Sequence, residues 1–307
     1  MRVNVNRVAG GKGSYGSEMT GRCSLILILC FVTTGCTVPP GASRLPAVSK
    51  NKFHLYLLIG QSNMAGRGTL AERDKQIHPR VFALNRSNEW TPATEPLHFD
   101  KPQYVGVGPG LAFGKAMAKA DPSVTIGLIP CAVGGSPISV WKQQAYYKQT
   151  GVYPYDDAIA RCRIAMQRGV LKGILWHQGE SDSNPQDGPL YAQRLTALID
   201  NLRKDLGERD LLFVAGTPAD AFIERKPDAR LVIDAIETVA RADSDVYRVS
   251  AHGLACKADQ VHFNADAARE LGRRYAQAVL RRCNIDRDPL GAKYEETHPN
   301  PTGTDVR

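Results

Sequence analysis

The chain has 307 residues, 43% hydrophobic and 23% charged, with 28 Gly and 19 Pro. That balance is ordinary for a globular protein and excludes collagen-like, coiled-coil and wholly disordered chains. The formal charge of +8 sets 39 Lys and Arg against 31 Asp and Glu, with much of the excess in residues 1–50, which hold six basic residues and one acidic. No dense basic run or nucleic-acid motif follows, so no nucleic-acid partner is expected.

In chain order, the first feature is an apolar run at 24–33, with Arg22 on its positive flank and Met19 as a second possible start. It is short for a bilayer span and the right length for the core of an export signal. Gly35-Cys36 after it resembles a lipoprotein box with Cys36 as the lipidated residue, although Thr33 stands where an aliphatic residue is usual. The expected organisation is a leader over 1–36, a tether over 37–50, one domain over 51–284 and a disordered tail over 285–307. The expected location is outside the cytoplasm (secreted, periplasmic or at the cell surface), with membrane attachment through a lipid on Cys36. In such an oxidising compartment Cys131, Cys162, Cys256 and Cys283 have two readings, paired disulfides or free buried thiols.

From Phe53 the pattern alternates between short apolar runs and helical periodicity. Strands are expected at His54–Gly60, Val81–Asn85, Thr125–Val133, Gly173–His177, Leu211–Thr217 and Val246–Ser250. Helical stripes run through Tyr191, Leu195, Leu198, Leu202 and Leu206, then Leu231, Ala235, Ile236 and Val239. The last comprises Ala268, Leu271, Tyr275 and Val279, capped by Asn264. Strands alternating with helices imply an α/β fold with a mainly parallel sheet covered on both faces. Ligands in such sheets sit beyond the carboxyl ends of the strands.

Four segments stand at such ends. Gly60-Gln61-Ser62-Asn63-Met64-Ala65-Gly66 places a serine at a strand-to-helix turn, as a helix cap or as a nucleophile. Gly134-Gly135-Ser136 is a tight turn or a bare backbone N–H offered to a substrate oxygen. Trp176-His177-Gln178-Gly179-Glu180-Ser181-Asp182 is a polar cluster behind an apolar run: Gln178 can donate to an oxyanion, and His177 and Glu180 can support the site. Asp259-x-x-His262 has the spacing that lets a carboxylate reach Nδ1 of the imidazole while Nε2 points away. Together they supply a nucleophile, a base, its acid partner and oxyanion donors in the order Ser, Asp, His.

These blocks resemble the sialate O-acetylesterase-like family, which includes acetyl xylan esterases of carbohydrate esterase family 6, within the SGNH/GDSL hydrolases. The resemblance spans nearly all of 53–283. It implies a flavodoxin-like three-layer α/β/α sandwich around about five parallel strands. It also implies Ser62 as nucleophile, His262 as base and Asp259 as its partner. The implied oxyanion hole comprises the N–H groups of Ser62 and Gly135 and the Gln178 side chain. Asn63, His177 and Glu180 are expected in supporting positions, no cofactor or metal is implied, and the partner is an acetylated carbohydrate, xylan or sialic acid-type glycan. Ser136 stands at the expected pocket rim where many relatives have Thr, and 218–227 has no clear counterpart.

Three other readings have a basis in the residues. His177, Glu180, Asp259 and His262 are four potential ligands of a metal-dependent hydrolase. A surface lipoprotein can bind carbohydrate without catalysis, and an esterase of this superfamily can take longer acyl chains. Trp141 has two readings, a sugar-stacking face or core, whereas Trp176 within its apolar run is expected in the core.

Overall fold

In the computed structural model, residue 45 and residues 47–287 are described; the leader, Cys36 and the tail beyond 287 lie outside them. Among the described residues seven strands form one sheet: β1 (Phe53–Gly60), β2 (Val81–Leu84), β3 (Trp90–Pro92), β4 (Thr125–Pro130), β5 (Val170–His177), β6 (Phe213–Gly216) and β7 (Val246–Val249). Their order is β3-β2-β4-β1-β5-β6-β7, all parallel except β3, which pairs antiparallel with β2 at the edge. The sheet thus exceeds the expected five strands. β3 escapes a pattern search because it is three residues long and ends in Pro92, as an edge strand can. β5 begins three residues before its expected start, and β4 ends at Pro130 rather than Val133.

Among the described residues seven α-helices flank the sheet: α1 (Ser62–Ala65), α2 (Gly110–Ala120), α3 (Pro154–Met166), α4 (Tyr191–Leu206), α5 (Asp220–Arg225), α6 (Ala229–Ala242) and α7 (Ala265–Arg287). Alternate side chains of the central strands feed two cores, as a strand's two-residue period requires. One holds Leu55, Leu57, Ile174 and Trp176 against α3, α4 and α6; the other holds Tyr56, Leu58, Leu175 and Val214 against α2 and α7. This is a three-layer α/β/α fold around a mainly parallel sheet.

The α4 and α7 stripes are buried, and Asn264 Oδ1 accepts the Ala267 N–H at 2.9 Å as the cap of α7. Leu231 departs from its expected stripe: it is 37% exposed at the start of α6, while Ala235, Ile236 and Val239 are buried. α7 also continues through Arg287, into the stretch expected as tail. Trp141 belongs to the core, 2% exposed, with its ring 5.4 Å from that of Trp176 and its Nε1 donating to Ser136 Oγ. Ser136 is therefore fully buried, not at a pocket rim. Cys131, Cys162 and Cys256 are free thiols, and burial pushes Cys131 and Cys256 up to about 11.

Candidate active site

β1 and β5 are neighbours, and their register sets Gly60 beside His177. Gly60 has φ of +122°, and a Cβ there would lie 2.2 Å from the His177 carbonyl oxygen. Only glycine fits both demands. The tight approach lets Gln61 N–H donate to His177 O at 2.9 Å and turns the chain into α1, which begins at Ser62.

Ser62 Oγ lies 2.9 Å from His262 Nε2, and His262 Nδ1 lies 2.8 Å from Asp259 Oδ2. Oδ1 of Asp259 accepts the backbone N–H groups of Val261 and His262, each at 2.9 Å. Partial burial pushes this carboxyl upward, but the bonds from the His262 backbone and ring and from Val261 outweigh it and bring it to about 2. A carboxylate ionised down to that pH takes the Nδ1 proton as its hydrogen bond and leaves the Nε2 lone pair facing the Ser62 hydroxyl. From α5, in the stretch with no expected counterpart, Arg225 donates to the Asp259 carbonyl at 2.7 Å.

Asn63 joins the two halves of this arrangement. Its Nδ2 donates to Val261 O at 3.0 Å and to Glu180 Oε1 at 2.5 Å, and its Oδ1 accepts Phe263 N–H at 3.1 Å. One amide thereby grips the residues on both sides of His262. Beneath it, Tyr275 Oη donates to Trp176 O, so it accepts from His177 Nδ1 at 3.1 Å. Burial lowers His177 to about 3, which keeps the ring neutral, and burial also raises Glu180 against the bonds from its own backbone and Asn63.

The four-ligand alternative does not assemble. Both nitrogens of His262 are taken by Asp259 and Ser62, and His177 turns to Tyr275. Among the described residues no three His, Cys, Asp or Glu side chains gather where they could hold a metal ion.

For oxyanion donors, the geometry departs from expectation at one position. The Gln178 side chain is fully buried, and its Nε2 is enclosed by Asp182 Oδ2 at 2.5 Å, Gln61 Oε1 at 3.0 Å and Ser136 O at 3.2 Å. Its Oε1 accepts from Tyr191 Oη at 2.8 Å. An amide with only two N–H bonds, ringed by three acceptors, has none left for a substrate. The neighbouring amide is the one left free. Gln61 Oε1 accepts from Gln178 Nε2 and from Ser181 N–H at 3.3 Å, which fixes the orientation of the group. Among the described residues nothing accepts from Gln61 Nε2, and that atom is not among the sealed, unpartnered ones. The backbone N–H groups of Ser62 and Gly135 are likewise without an acceptor there. Gly135, at φ +82°, has its carbonyl held by Tyr147 Oη at 2.7 Å and Ser181 Oγ at 3.1 Å.

A family model described as carbohydrate esterase, sialic acid-specific acetylesterase, matches residues 52–281. The chain belongs to this family. As a carbohydrate acetylesterase it is a carboxylic ester hydrolase. It is 34% identical over 248 residues to a probable carbohydrate esterase of Arabidopsis thaliana, covering 74% of this chain and 90% of that protein. The crystal structure of that plant protein superimposes with a TM-score of 0.67 at 31% identity, covering 74% of this chain and 98% of the other. A probable 9-O-acetyl-N-acetylneuraminic acid deacetylase of Escherichia coli K12 is 23% identical over 203 residues, covering 52% of this chain and 62% of that protein. The structure of NanS shares the fold of this carbohydrate acetylesterase, with a TM-score of 0.65 at 20% identity, covering 77% of this chain and 99% of that one.

Proposed function

We propose that this acetylesterase is a serine enzyme that removes O-acetyl groups from glycans through an acetyl-enzyme intermediate. The observation that carries the reading is the chain of contacts from Ser62 Oγ through His262 to Asp259, at 2.9 and 2.8 Å. His262 Nε2 takes the hydroxyl proton as Ser62 Oγ bonds to the acetyl carbonyl carbon, and Asp259 steadies the imidazolium so formed. The negative oxygen of the tetrahedral adduct is received by the N–H groups of Ser62 and Gly135 and by Gln61 Nε2. His262 then protonates the departing sugar oxygen. Water, deprotonated by the same imidazole, adds to the acetyl-enzyme, and collapse of the second adduct releases acetate and restores Ser62.

The names of the relatives support an acetylated sugar as substrate, with sialic acid-type glycans and acetylated xylan as the candidates. Acetate release from a panel of both decides between them. The apolar run and Cys36 extend the proposal to an exported enzyme held at a membrane by lipid, which palmitate labelling of Cys36→Ala against wild type tests. For the chemistry, Ser62→Ala should reduce kcat on an aryl acetate by roughly 10⁴–10⁶. Near-wild-type turnover in that variant overturns the serine mechanism. A chelator should leave the rate unchanged while an organophosphonate abolishes it, and rates should fall steeply from acetyl to octanoyl esters.

A further inference from the structure

The turn that offers the Gly135 N–H does not hold itself. Ser136 N–H donates to Val133 O at 3.2 Å, which closes a tight turn with Gly134 and Gly135 at its centre. Paired glycines restrict their own backbone very little, so the aim of the Gly135 N–H depends on what grips the turn from outside. On one side Val133 N–H donates to Gly60 O at 2.9 Å; on the other, Tyr147 and Ser181 hold the Gly135 carbonyl. Between them the Gly134 N–H donates to Asp100 Oδ2 at 2.7 Å.

Asp100 is itself aligned. The same Oδ2 accepts Arg67 Nη2 at 2.9 Å, with the Arg67 and Asp100 side chains 7% and 2% exposed. Arg67 Nη1 donates to the Gly66 carbonyl at 2.7 Å, and Gly66 closes α1 by donating its N–H to Ser62 O at 2.9 Å. A chain of bonds thus runs from the helix of the nucleophile, through one guanidinium and one carboxylate, to the oxyanion turn. Gly134 sits directly on the pair: a Cβ there would come within 2.7 Å of Asp100 Oδ2 and closer still to Arg67 Nη2. Packing alone does not call for this arrangement, because a buried ion pair is often no more stabilising than apolar residues of similar volume. What the pair adds is direction, from a rigid guanidinium fork and a short charge-assisted bond to the backbone.

We propose that Asp100, aligned by Arg67, is a positioning residue of the oxyanion hole that fixes the Gly135 N–H relative to Ser62. The proposal rests on the serine reading above and adds to it the link between nucleophile and donor. Both side chains act through the backbone, Asp100 on Gly134 and Arg67 on Gly66.

The test uses the whole enzyme and three variants. Arg67→Met combined with Asp100→Leu deletes the pair without stranding either charge. Arg67→Lys keeps the charge and loses the fork. Asp100→Asn keeps an oxygen able to accept from both Gly134 and Arg67, and is the conservative rescue. Each is assayed for kcat and KM on an aryl acetate and for Ki of an aryl trifluoromethyl ketone, whose adduct with Ser62 puts a negative oxygen in the hole. Urea unfolding of the same samples reports stability. A displaced donor should lower kcat about 10–100-fold in the double variant and about threefold to tenfold in Arg67→Lys. Ki should rise by the factor that kcat loses while KM stays within about threefold, because the hole meets the tetrahedral oxygen and not the ground-state ester. Asp100→Asn should keep kcat within about threefold of wild type. Wild-type kcat in Arg67→Lys or in a folded double variant overturns the proposal. So does a KM that rises as much as Ki, or a kcat that merely follows stability across the three. Failure of the serine reading shows separately, as near-wild-type turnover by Ser62→Ala, and takes the positioning role with it.

Discussion

Gln61 and Gln178 sit side by side because β1 and β5 are in register at Gly60 and His177, the residue before each. The register makes their proximity legible in the sequence once the strands are drawn. It does not tell which amide keeps an N–H free, and that is decided by Asp182. Its buried carboxyl accepts from Gln178 and from Ile138 N–H, which pulls the Gln178 amide inward. Gln61→Ala should therefore lower kcat on an aryl acetate on the order of 10²–10³-fold with little change in KM. Gln178→Ala, which acts by releasing Gln61, should add little to that loss when the two are combined. Losses that multiply in the double variant would assign the amides separate tasks. Ser62, Asp259 and His262 were easier to find, because a hydroxyl behind a strand and a carboxylate three residues before an imidazole each have a local signature. Arg225 has none: its bond to the Asp259 carbonyl spans 34 positions of chain.

Among the elements, strands with continuous apolar runs and helices with sharp stripes were readable, and those built on glycine were not. α2 contains Gly110 and Gly114, which resemble breakers. In the fold their bare Cα atoms face Leu58 and Val81, where a Cβ would come within 2.7 and 2.9 Å of side-chain carbons. They are the contact surface of a helix laid close on the sheet, information that only the neighbour supplies. Gly60 marks a harder constraint, since what a side chain would strike there is backbone. Gly60→Ala should cost at least about 2 kcal/mol, from a positive φ and a forced separation of β1 from β5. It should also lower kcat by displacing Ser62. Urea unfolding and steady-state kinetics on the same sample check both, and a variant with normal stability and rate would refute the account of this turn.

Over the whole molecule, stability carries the mark of a buried acid outside the Ser62–His262–Asp259 arrangement. Glu95 is 6% exposed and accepts the N–H groups of Leu97 and Gly108 at 3.0 and 3.3 Å. Burial raises it from an ordinary 4.5 to about 8 despite those bonds. Unfolded chains ionise it near pH 4.5 while the folded protein keeps the proton. Its contribution is therefore whole below pH 4.5, declines as pH rises toward 8 and levels off above that. Denaturation at pH 5, 6.5 and 8 should show wild type losing on the order of 1 kcal/mol per pH unit from this group, and Glu95→Gln should remove that slope even if its absolute stability is lower. An unchanged slope in the variant would assign the dependence elsewhere.

The grip of Asn63 on Phe263 joins points 200 residues apart. Translation delivers Ser62 early and His262 near the close of the described chain, so on the proposed mechanism nucleophile and base meet only late in synthesis. On the proposed mechanism, turnover begins only when the final loop docks against the first turn. If the proposed serine mechanism holds, ester cleavage in this protein is a readout of completed folding, because a chain that stops before residue 262 lacks the base.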